Sequence, residues 1–69
     1  MQMIPVSSSN LCAVGYDGAK QTLVIRFHHG GTYSYFGVPQ NVFDGLLSSG
    51  SKGSYHANYI KNTFPVQRI

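Results

Sequence analysis

The sequence predicts an α+β domain, a three-stranded antiparallel meander followed by two helices packed on one face. Three observations point to it. Leu23, Ile25 and Phe27 alternate with Thr22, Val24, Arg26 and His28, a period of two that gathers apolar side chains on one face of a strand. Turn signals flank that segment, Asp17-Gly18-Ala19-Lys20 before it and His28-His29-Gly30-Gly31 after it. Val42, Phe43, Leu46 and Leu47 then follow at the spacings that share one face of a helix.

Asn10 to Tyr16, NLCAVGY, reads as the first strand, small and apolar. Asp17 opens the turn after it, where a carboxylate can bond the backbone two residues on. The second strand, Gln21 to Phe27, is the central one, because it has a hairpin neighbour on each side. Thr32 to Phe36 forms the third strand, and its short connection favours antiparallel pairing. Pro39 fits the first turn of a helix, since its fixed φ is already helical and its missing N–H is not needed there. That helix ends at Ser48-Ser49-Gly50, with Gly50 suited to a left-handed cap. Ser51 is placed to cap a second helix from about Lys52 to Asn62, and Pro65 closes it. Val66 to Ile69 carries no assignable pattern.

At 69 residues the chain has room for one domain, residues 1–69, and a chain of this size buries only about 60% of the surface its unfolded form exposes. Its five Tyr and four Phe, which bury roughly 150–250 Å² each, are the natural suppliers of core. Five Lys and Arg against two Asp and Glu leave a net charge of +3, a bias towards anionic partners. Lys20, Arg26, Lys52, Lys61 and Arg68 stand singly, so a positive patch must be assembled by the fold. Cys12 is the sole cysteine, which excludes an internal disulfide and suits a reducing, cytoplasmic setting. Neither a signal peptide nor an apolar run of membrane-spanning length is expected.

Tyr33 and Tyr35 share one strand face, and the hairpin register decides which. A two-residue turn at His29-Gly30 sets Arg26 opposite Tyr33 and Val24 opposite Tyr35, an exposed Tyr-Arg-Tyr face able to stack bases and touch phosphate. A three-residue loop, His29-Gly30-Gly31, pairs Phe27 with Tyr33 and Ile25 with Tyr35 and sends both rings into the core, and the need of a small domain for aromatic volume favours it. His28 and His29 point to opposite faces with no cysteine or carboxylate at ligand spacing, so no metal site is expected, and His56 reads as an edge of the core. Cys12 lies in a small apolar strand as an inert thiol. Asp17 and Asp44 form no carboxylate pair. An enzyme is therefore not expected, nor a cofactor. Ser51, Gly53 and Ser54, with Lys52 and the run Ser7-Ser8-Ser9, combine hydroxyls, amides and an ammonium into an anion site, a use compatible with capping by Ser51.

Several stretches taken together resemble the KTSC domain family: Val6-Ser7-Ser8-Ser9, Val14-Gly15-Tyr16-Asp17, Leu23, Phe27, Gly31, Tyr33-Ser34-Tyr35, Val38-Pro39, Leu46-Leu47, Ser51-Lys52-Gly53-Ser54-Tyr55 and Ile60. The family comprises small bacterial and phage proteins, and its module also stands at the C-terminus of some lysyl-tRNA synthetases. The resemblance covers nearly the whole chain. At positions 56 and 57 the chain has His-Ala where the family often has an aromatic and then Asn. The association with a synthetase implies RNA binding. The expected function is thus a non-catalytic module for RNA or single-stranded nucleic acid, using Arg26, Lys52 and Lys61 with Tyr33 or Tyr35 stacking. The alternatives are a protein-interaction module, such as a bacterial or phage regulator of a host protein, and a binder of a small phosphorylated ligand.

Overall fold

The computed structural model describes residues 1–69. Five strands form one antiparallel sheet in the order β1-β2-β3-β4-β5: β1 (Ile4–Pro5), β2 (Leu11–Asp17), β3 (Thr22–Phe27), β4 (Thr32–Tyr35) and β5 (Val66–Arg68). Helix α1 (Gln40–Ser48) follows β4, and helix α2 (Lys52–Tyr55) runs on into a π-helical stretch, His56–Ile60. The expected three-stranded meander is present as β2, β3 and β4, with β3 central, but the sheet has five strands. The additions are very short, and β1 contains Pro5, which lacks the N–H that a central strand would need and fits an edge. No helix is long and apolar enough to cross a membrane.

Ile25 lies opposite Tyr33 and Leu23 opposite Tyr35, with Arg26 facing Thr32. Neither expected register is adopted: the loop is His28-His29-Gly30, closed by the Phe27 N–H donating to Gly31 O at 3.0 Å. It has three residues, as the core-facing alternative required, but begins one residue earlier, which shifts every pair by two and preserves the face. Gly30 and Gly31 both have positive φ, at 115° and 93°, a region other residues rarely enter. The Tyr-Arg-Tyr face does not form.

Leu11, Val14, Leu23, Ile25, Tyr35, Val38, Phe43, Leu46 and Ile60 make one buried cluster, so both helical segments cover the same sheet face. Leu11 and Val14 reach it together because Cys12 is an extra residue between the pairs Leu11–Phe27 and Ala13–Arg26, a bulge that offsets the strand alternation. Tyr16 stacks on Phe43 with ring centroids 4.8 Å apart and donates its hydroxyl to Val38 O, tying the sheet to α1. On the opposite face, Ala13, Gly15, Val24, Thr32 and Ser34 are small, and Arg26 is the one charged residue among the central strand's outward positions. Gly15 is covered by the N-terminal segment, and a Cβ there would stand 2.7 Å from Met3 Sδ, so a side chain would have to displace that methionine.

Two helix ends differ from expectation. Ser49, in extended conformation, ends α1, and Gly50 does not have a positive φ. The second helix stops at Ile60, short of Asn62, and Lys61 N–H closes it by donating to His56 O at 2.9 Å, the wider π spacing.

Candidate anion and nucleic-acid interface

Two polar loops, some forty positions apart in sequence, converge beside the end of β3. The first is Ser7-Ser8-Ser9-Asn10. Ser8 Oγ accepts from the Asn10 and Leu11 N–H groups, both at 3.2 Å, a local turn of the kind serine favours. His28 pins this loop twice, its backbone N–H donating to Asn10 O at 2.9 Å and its Nε2 donating to Ser8 O at 3.0 Å. The second loop is Gly50-Ser51 and the first turn of α2. Ser51 caps as expected, accepting from Ser54 N–H at 3.4 Å and donating to Ser54 Oγ at 3.1 Å. Lys52 Nζ donates to Ser49 O at 3.3 Å, which fixes the ammonium at the helix junction and leaves two of its three donors free.

Between the loops lies a groove of about 660 Å³ lined by Ser7 to Asn10, Gly50 to Ser54 and Ala57, with Ala57 as its sole apolar side chain. A second pocket of about 330 Å³ continues from it through the shared Ser9, Asn10, Gly53 and Ala57 to Phe27, His29, His56 and Lys61. No carboxylate lines either space: Asp17 accepts from Ala19 and Lys20 N–H in the β2–β3 turn, and Asp44 pairs with Gln40 on α1. Hydroxyl, amide and ammonium donors in a trough free of negative charge suit an anion.

His56 forms one wall. Its Nε2 lies 2.8 Å from the Tyr35 hydroxyl, and its ring meets Phe27 and Tyr35 edge-on at centroid distances of 5.1 and 5.6 Å. Burial holds its pKa below the ordinary histidine value, and the Lys61 ammonium pushes the same way. Burial raises the Tyr35 phenol, with Tyr33 adding to it. Tyr35 therefore donates and a neutral His56 Nε2 accepts.

The structure brings Ser51, Lys52, Gly53, Ser54 and Lys61 to this trough and leaves the other expected residues outside it. Arg26 is exposed on the opposite sheet face. Tyr35 is only 4% exposed, so its ring offers no open face to a base. Tyr33 is half-buried, edge-on to Phe27 at 5.8 Å, with the Arg68 guanidinium 6.0 Å from its ring centroid. Cys12 sits at the bulge, half-buried.

The family model of the KTSC domain matches residues 7–64, a span that holds both loops of the trough and Lys61. The chain belongs to the KTSC domain family. A protein of Tsukamurella paurometabola is 47% identical over 62 residues, 90% of this chain and 92% of that one. A lysine–tRNA ligase of Trichormus variabilis is 37% identical over 54 residues, which are 78% of this chain and 10% of the ligase. The crystal structure of a KTSC domain protein from Yersinia pestis superposes with a TM-score of 0.97 at 40% identity, covering 99% of this chain and 96% of the other. The KTSC domain is thus a small α+β module, matching a segment about a tenth of the ligase's length.

Asn10, His29 and Ala57 line the trough of this KTSC domain and were not anticipated from sequence. Asn10 carried a signal, as the polar end of the serine run; His29 and Ala57 carried none. His56 and Ala57, where the chain departs from the resemblance, both face this space.

Proposed function

We propose that this domain is a non-catalytic module that binds RNA, or single-stranded nucleic acid more generally, by its phosphate backbone along the serine trough. The observation that carries the reading is the convergence of Ser7–Asn10 with Gly50–Ser54 in one carboxylate-free groove that runs on to Lys61. Phosphate oxygens accept from hydroxyl, amide and ammonium donors, and such contacts supply most of sequence-independent affinity. Occurrence of the module within lysine–tRNA ligases, whose substrate is an RNA, agrees with this. The two lysines here replace the dispersed set that included Arg26, and aromatic stacking on Tyr33 and Tyr35 is no longer part of the reading.

The test is a titration of short RNA and DNA oligonucleotides at several salt concentrations, with Lys52→Ala and Lys61→Ala alongside. Binding that weakens with salt and with each substitution supports the reading. Absence of binding at low salt rejects it in favour of a protein partner, and binding of inorganic phosphate with no gain from a chain favours a small phosphorylated ligand.

A further inference from the structure

The pocket beside the serine groove differs from it in chemistry. The groove is almost wholly polar, whereas the pocket adds the Phe27 ring and the imidazoles of His29 and His56 to Ser9, Asn10 and Lys61. At about 330 Å³ it sits at the lower end of the ~300–1,000 Å³ typical of small-molecule sites, room for one planar group and not for an oligomer. Its aromatic wall is held in place. Tyr35 fixes the His56 ring by the 2.8 Å hydrogen bond, and Phe27 is braced edge-on by His56 at 5.1 Å and by Tyr33 at 5.8 Å. A wall ordered before binding loses little rotamer entropy when a ligand arrives. Around it, the Ser9 hydroxyl, the Asn10 amide and the exposed His29 imidazole provide both donors and acceptors.

We infer that this pocket is a subsite for a single unpaired nucleobase whose phosphate lies in the adjoining serine groove. Four residues shared between the two spaces make them continuous, so one nucleotide can occupy both. An apolar, aromatic wall receives the face or edge of a base, and His29 and Asn10 stand at the rim where its polar edge emerges. The inference rests on the proposed nucleic-acid reading and deepens it from backbone capture to recognition of a base.

The experiment compares an RNA oligonucleotide with one of equal length and charge lacking every base, against the full chain and two variants. His29→Ala removes an exposed rim group, and Ala57→Leu fills the space where groove and pocket meet. Melting curves confirm that both variants fold. The intact oligonucleotide is expected to bind about tenfold tighter than the abasic one, at the same salt slope. Both variants should remove most of that difference. Equal affinity for the two ligands overturns the base subsite and leaves backbone binding standing. So does a base preference that both variants retain. Failure of both ligands to bind at low salt overturns the subsite and the backbone reading together.

Discussion

The Tyr35 hydroxyl and His56 Nε2 stand 2.8 Å apart, joining β4 to the start of the π-helical stretch. The bond requires an unprotonated Nε2, which burial maintains. Folding therefore favours the neutral imidazole, and the unfolded chain binds more protons than the folded one between the two pKa values. Stability rises with pH in that window. The contribution is fully present above about pH 6.5, the unfolded value, and is lost as pH falls towards the lower folded value. Urea denaturation between pH 5 and 8 should show this slope, and His56→Gln, which keeps an acceptor but does not titrate, should flatten it. An unchanged slope would mean that another group controls the acid limb.

At Gly53 the two loops come close together, since a Cβ there would stand 2.9 Å from Asn10 Nδ2. The obstacle is the end of a flexible side chain, so Gly53→Ala should fold, helped by as much as about 1 kcal/mol of helix propensity. It should nonetheless displace the Asn10 amide and weaken oligonucleotide binding. Affinity and stability are expected to move in opposite directions, as melting and titration of one preparation would show.

Gly45 presents the opposite case. Tyr55 donates its hydroxyl to Val42 O at 3.0 Å and lies directly over Gly45, where a Cβ would overlap both its oxygen and its ring. Alanine at a helical glycine ordinarily stabilises by about 1 kcal/mol. Here Gly45→Ala should instead destabilise by roughly 1–3 kcal/mol, the cost of overpacking a fixed ring. A rise in melting temperature would show that Tyr55 swings away freely.

Leu46 is fully buried between α1 and the sheet. Leu46→Ala should cost roughly 2–5 kcal/mol. Set against a total stability of about 3–10 kcal/mol for a domain of this size, that is a large share of the total, readable as a lowered midpoint in chemical denaturation.

For nucleic-acid binding, one phosphate neutralised by each of Lys52 and Lys61 gives a slope of log K against log salt of about −1.4, from roughly −0.7 per contact on a single strand. Lys61→Ala should reduce it to about −0.7. Arg26→Ala, on the opposite face, should leave it unchanged, and an equal reduction would move the binding surface to that face of the sheet.

What the sequence determined by itself is what is written in short-range pattern. The alternation of Leu23, Ile25 and Phe27 specified the central strand, the 42-43-46-47 spacing specified α1, and Ser51 and Asp17 make the local hydrogen bonds their side chains imply. Each depends on neighbours within a few residues, where the period of the element decides which face is buried. The tertiary structure decided the rest. β1 and β5 are too short and exposed to carry a period, and form only because β2 and β4 offer unpaired edges. The hairpin register followed from Gly30 and Gly31 taking positive φ together, and it turned Tyr33 and Tyr35 towards the core. The trough exists because packing of His56, at the start of the π-helical stretch, against Phe27 and Tyr35 carries Ser51–Ser54 to Ser7–Asn10, a juxtaposition with no local signature, since segments so far apart meet only once the core between them has closed.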